Sequence, residues 1–96
     1  MKRLELVACE AVQAELVEGL EKAVRNIEYT LIPRIEGKGL KTRKDGSQVW
    51  PELNFMLISY MGDEEFAAAK AVIAEVSRRF PNEGIFAAAT EAEQIK

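Results

Sequence analysis

The sequence predicts a single α+β domain with the element order βαββαβ, and three observations carry that prediction. Ninety-six residues are enough for one domain and too few for two. Apolar residues make up 48% of the chain and charged residues 30%, the balance of a globular protein rather than a disordered one. Along the chain, the apolar pattern switches between the alternation of strands and the three-to-four-residue spacing of helices, in the order strand, helix, strand, strand, helix, strand.

Residues 3–10 (RLELVACE) alternate, with Leu4, Leu6 and Ala8 on one side, and predict the first strand. Over residues 11–24 the period changes. Val12, Leu16, Leu20, Ala23 and Val24 share a helical face, and Glu15, Glu18 and Glu21 read as its solvated side. Residues 29–36 (YTLIPRIE) return to β-branched and aromatic character. Pro33 lacks an N–H donor, which predicts an edge strand or a bulge at that point. After an irregular stretch over 37–52, residues 53–61 (LNFMLISYM) form the strongest strand. Gly62-Asp63 caps the next helix, whose buried stripe is Phe66, Ala69, Ile73, Val76 and Phe80. Asp63, Glu64 and Glu65 suit the positive end of its dipole, Arg78 and Arg79 the negative end, and Pro81 stops it. Residues 85–90 (IFAAAT) form a last strand, and 91–96 are a polar tail. This order is the ferredoxin-like arrangement, a four-stranded antiparallel sheet with two helices on one face.

Strand 53–61 is apolar on both sides. Leu53, Phe55, Leu57 and Met61 point one way, and Met56, Ile58 and Tyr60 the other. The helices cover one face only, so the second predicts burial against sister subunits, which also enlarges a small core.

Composition narrows the chemistry. Histidine is absent, which removes the commonest general base and transition-metal ligand. Cys9 is the only cysteine, so disulfides and CxxC sites are excluded, and a packing role is the simplest reading of it. No nucleophile–base pair is visible, and an enzyme is not expected. The acids at 63–65 are explained by the helix terminus, and no metal site is expected. A net charge of −3 argues against nucleic-acid or membrane affinity. Glu5 interrupts the only candidate signal-peptide core and no apolar run approaches a membrane span, so a cytoplasmic location is expected.

The segment 37–52 (GKGLKTRKDGSQVWPE) stands apart. Lys38, Lys41, Arg43 and Lys44 place four cations in seven residues of an acidic chain. Gly37 and Gly39 flank Lys38 and let backbone amides approach an anion. Gly37, Lys38, Gly39 and Lys41 are therefore the candidate ligand-binding residues. Lys41, Arg43, Lys44 and Trp50 are the candidate partner-binding residues of a long functional loop.

The G-x-G closing the second strand, the long basic loop, Pro51 entering the third strand, and the stretch IEGKGL…VWPELNFMLISY resemble the PII and PII-like signalling proteins, in layout over nearly the whole chain. The resemblance implies a homotrimer with ligand clefts between subunits. It also implies a mobile T-loop over 37–52 that touches a partner protein such as a membrane transporter. Within that family Gly37 and Gly39 correspond to the glycines at the loop base, and Lys41 stands where a glutamine reads the adenine side. The lysine after the proline is Glu52 here, the phosphate-binding loop before the last strand is reduced to Phe80-Pro81-Asn82-Glu83-Gly84, and the two arginines after that strand are missing. Lost cationic groups and a reversed charge predict weak or no ATP binding. A non-ligand-binding adaptor trimer or a CutA-like cation-binding protein is the alternative. An acylphosphatase-like hydrolase lacks its arginine-bearing loop at Ala8–Ala11, and an RNA-recognition domain lacks its strand-one aromatic.

Overall fold

The computed structural model describes residues 1–40, 43–47 and 52–96. In chain order the elements are β1 (Lys2–Cys9), a 3₁₀ turn (Glu10–Val12), α1 (Gln13–Ala23), β2 (Thr30–Ile35), β3 (Gly37–Lys38), β4 (Arg43–Lys44), β5 (Asn54–Met61), α2 (Asp63–Arg79) and β6 (Ile85–Glu91). Four of the strands form an antiparallel sheet of order β2-β5-β1-β6, and both helices lie on one face. The predicted βαββαβ arrangement is present.

The two inner strands set the core. β1 and β5 pair without interruption from Lys2↔Met61 to Cys9↔Asn54. Their alternation sends Leu4, Leu6 and Ala8, together with Phe55, Leu57 and Met61, under the helices, where all are buried. From the 3₁₀ turn, α1 and the residue after it, Val12, Leu16, Leu20 and Val24 complete this layer as the spacing predicts, while Ala23 stays exposed. From α2, Ala69 and Val76 are buried and Phe66, Ile73 and Phe80 pack against the core partly exposed. Each fully buried large side chain contributes about 1.5–3 kcal/mol of transfer free energy. Ser59 is the one buried polar residue among those described, and its hydroxyl donates to the Glu28 carbonyl at 2.7 Å. Glu15 departs from the solvated face read for it: its Oε2 is buried without a hydrogen-bond partner.

Pro33 has the predicted consequences. β2 is an edge strand, and its register against β5 shifts between Ile32 and Ile35, with Arg34 at φ 56. At α2 the Gly62-Asp63 cap makes no side-chain bond. The first turn is held instead by the Phe66 N–H donating to the Gly62 carbonyl at 2.9 Å, beside three acids that face the helix dipole. The tail also differs from expectation, because Glu91 still belongs to β6 and the Ala92 N–H donates to the Met1 carbonyl at 2.9 Å.

The stretch over 37–52 is not wholly irregular. β3 and β4 form a small antiparallel ladder, Gly37↔Lys44 and Lys38↔Arg43. The Lys44-Asp45-Gly46 turn then closes as an Asx turn, with the Ser47 N–H donating to Asp45 Oδ1 at 3.0 Å and Gly46 at φ 73.

Gly19 sits at the crossing of the two helices, where a Cβ would lie 2.7 Å from Val72 Cγ1. Alanine there gains about 1 kcal/mol of helix propensity. The steric cost of about 1–3 kcal/mol outweighs that gain. Gly19→Ala is therefore expected to lower the urea midpoint, and Val72→Ala in the same chain should restore part of the loss. A Gly19→Ala chain more stable than the parent would show that the helices can part freely.

Candidate functional site

One end of the sheet gathers the chemistry. Because β1 runs antiparallel to both neighbours, its last residues lie beside the first residues of β5 and the turn that enters β6. The Cys9 N–H donates to the Gly84 carbonyl at 3.0 Å, and the Glu10 N–H to the Leu53 carbonyl at 2.9 Å. These bonds place Glu52 and Glu83 on either side of Cys9.

The buried Cys9 thiol donates to Glu52 Oε2 at 3.2 Å. Lys44 Nζ donates to the other oxygen, Oε1, at 3.0 Å. One carboxylate therefore joins β1 to the β3–β4 ladder. Candidate ligand atoms of Cys9, Glu52 and Glu83 all lie within 4.8 Å of one another. Nearby, Arg34 at the β2 bulge reaches Glu10 at 3.9 Å. Burial, and then the bond to Glu52, push the Cys9 thiol above its ordinary pKa. The ammonium of Lys44, and then the thiol, hold Glu52 below the usual carboxylate value, and Glu52 in turn raises Lys44.

The predicted loop residues part company here. Gly37 is in β3, where a Cβ would meet the end of the Asn54 side chain, so a larger residue there requires that amide to turn aside. Lys38 and Arg43 face each other across the ladder and are exposed, beside a shallow depression of about 280 Å³ that Glu36 and Asp45 also line. Gly39 and Leu40 are exposed. Lys44 is turned inward onto Glu52 and is less exposed than Lys38 and Arg43. Lys41 and Trp50, with Pro51, lie outside the described residues.

The sheet face away from the helices is the second feature. Its register lines up Ile32, Met56, Val7 and Phe86 as one unbroken apolar row across all four strands. Ile32 is 42% exposed and Phe86 59%, and Tyr60 adds a further 51% two rows away. Arg3 and Glu5 on this face pair with each other at 3.6 Å. Toward the chain ends the face runs into a groove of about 680 Å³, lined by Thr30, Ile58, Tyr60 and Ile95 among others.

Compared by sequence, the chain matches no protein-family model and no curated protein. Solved structures do match. CPII, a nitrogen regulatory PII-like protein from Thiomonas intermedia K12 bound to ADP, AMP and bicarbonate, superposes with a TM-score of 0.70 at 17% identity, over 97% of this chain and 88% of that one. A putative PII-like signaling protein from Thermus thermophilus gives 0.60 at 21% identity, over 93% and 83%. The fold is that of the PII-like proteins. A de novo designed protein, Foldit4, superposes on this chain with a TM-score of 0.55 at 11% identity, over 97% of this chain and all 100% of its own. The architecture therefore entails no particular ligand, and function rests on the side chains it carries. No helix of the described residues is long and apolar enough to cross a membrane.

Sequence reasoning missed the meeting of Cys9, Glu52 and Glu83. No local spacing signals residues so far apart, but the βαββαβ order with its antiparallel pairs was enough to bring them together.

The Lys44–Glu52 pair gives the loop a pH dependence. Glu52 has a folded pKa below its ordinary 4.5, so its stabilisation is complete above that value and is lost as pH falls through the lower folded one. Lys44 is raised above 10.5, so its share is complete below that value and is lost only as pH rises through the higher folded one. Amide-exchange protection of residues 43–47 should be flat from neutral pH down to the ordinary carboxylate value, then collapse in more acid solution. Glu52→Gln should weaken protection at neutral pH and remove the acid step. An unchanged acid step in that variant would assign it to another carboxylate.

Proposed function

We propose that this chain is a PII-like regulatory protein of the cytoplasm, a homotrimer that engages a partner protein, such as a membrane transporter, through the 37–52 loop. It acts by binding and not by catalysis. The uncovered apolar row Ile32–Met56–Val7–Phe86 carries this reading. A PII-like fold of this size with one sheet face open gains its missing core from sister subunits, and the pairing of Arg3 with Glu5 lowers the cost of burying that face.

The loop supports the partner role. Its base is fastened by Lys44, while Lys38 and Arg43 are exposed for an acidic or anionic surface. CPII was solved with ADP, AMP and bicarbonate. In this chain the acids Glu52 and Glu83 stand at the loop base and oppose a polyphosphate, so ATP binds weakly or not at all. A smaller or less charged ligand fits the clefts between subunits better.

Two measurements test this. Light scattering coupled to size exclusion should give the mass of three chains, and Phe86→Glu, a change at a side chain already exposed in the single subunit, should shift the mass toward one. A monomeric parent protein would overturn the trimer. In a thermal-shift screen, a nucleotide at about 100 times its dissociation constant stabilises by about 2.7 kcal/mol per site. ATP, ADP and AMP are expected to leave the melting temperature unmoved at millimolar concentration. A clear shift with ATP would mean that the cleft tolerates the reversed charge and that the protein is a nucleotide sensor.

A further inference from the structure

We infer that Cys9, Glu52 and Glu83 form a binding site for a thiophilic divalent cation of the Zn²⁺ type. The three donors come from the end of β1, the entry to β5 and the turn before β6, and the sheet register brings them within 4.8 Å of one another. Glu52 is exposed and Glu83 partly buried, and the two acids meet over a buried thiol. Cys9 has no exposed surface, and its sulfur points at a carboxylate oxygen 3.2 Å away.

Charge makes the case for a cation. Two carboxylates are held together around one thiol, and a single ammonium serves them. Lys44 takes Glu52 Oε1 and leaves Oε2 on the thiol, while the Glu83 carboxylate makes no hydrogen bond or ion pair among the described residues. The Lys44 ammonium acts on both carboxylates from the far oxygen of Glu52, and a cation held between the three donors would sit closer to each of them. A metal displaces the thiol proton, which leaves to solvent, and bridges Sγ to the two carboxylates as Cys9–S⁻, Glu52 and Glu83.

The donor set selects the ion. Mg²⁺ and Ca²⁺ want six or more oxygens and have no use for sulfur. One thiolate with two carboxylates suits a four-coordinate ion that keeps one position for water or an exogenous ligand. Zn–S near 2.3 Å and Zn–O near 2.0 Å at a tetrahedral angle set S···O at roughly 3.5 Å. The Cys9–Glu52 pair at 3.2 Å is close to that distance, and the three donors, within 4.8 Å of one another, would close in on the ion. Lys44 on the far oxygen of Glu52 then acts as the outer partner that orients the ligand, so metal occupancy and the fastening of the β3–β4 ladder share one carboxylate.

The inference stands independently of the oligomer and of any nucleotide, and its test reads neither. The full-length protein, stripped of metal, is titrated with Co²⁺ and followed by absorbance, then with Zn²⁺ in competition. One Co²⁺ per chain with a sulfur-to-metal charge-transfer band, displaced by Zn²⁺, is the expected result. Cys9→Ser should abolish that band. Glu83→Gln, at a side chain outside the core, should weaken Zn²⁺ about tenfold or more with the circular dichroism spectrum unchanged. Should Cys9→Ser fail to fold, Glu83→Gln alone decides. Absence of a thiolate band in the parent, or Zn²⁺ affinity unaltered in Glu83→Gln, overturns the site.

Discussion

The uninterrupted pairing of β1 with β5 is the constraint on which everything else rests. It fixes which side chains enter the core, because a slip of one residue would send Leu4, Leu6 and Ala8 to the open face and Glu5 and Val7 under the helices. It fixes the site as well. Cys9 lies opposite Asn54 at the end of the ladder, so Glu52, just ahead of β5 in the chain, falls within reach of the thiol. The outer strands are set by this pair: β6 adds to β1 and β2 to β5, and the Pro33 bulge is tolerated because it falls on an edge.

The same ladder gives the sheet two unlike faces. Under the helices the side chains form a closed layer from Leu4 to Val76. Away from them, Val7 and Met56 at the centre are flanked by Ile32 and Phe86 at the edges, and helix packing within one chain has no way to cover that row. A designed protein shares this fold, so the topology by itself assigns no function. What distinguishes the present chain is therefore where it keeps apolar surface exposed and where it collects charge, and the register sets the two next to each other, with Cys9 one row beyond Val7 on the same face of β1.

Much of this was legible in the sequence, because amphipathic periodicity reports burial directly. The stripe Val12–Leu16–Leu20 and the alternation of Leu4, Leu6 and Ala8 each mark one buried face, and Pro33 announces an edge by the donor it lacks. The β3–β4 ladder escaped because strands of two residues carry no period to read. The ion pair of Lys44 escaped for a related reason. A run of cations reads as a solvated surface, but the register Gly37↔Lys44 turns this one lysine inward, onto an acid eight residues away. Cys9 was read as packing, and it is buried as that reading requires. Its bond to Glu52 depends on the tertiary register and has no local signature.

Glu52 is thus the residue where the separate levels meet. Exposed ion pairs contribute about 0–1 kcal/mol, and with the Glu52 side chain half-exposed the Lys44 bond belongs to that class. A fastening this weak does not add much to global stability, but it is enough to bias a short ladder that buries little apolar surface of its own. Whatever competes for the Glu52 carboxylate, whether a proton or a cation on the Cys9 side, acts on the loop through the same two oxygens. Among the described residues, Glu52 is the carboxylate that ties the β3–β4 ladder to the end of β1, and the Lys44 bond can break without altering the β1–β5 pairing that sets the core.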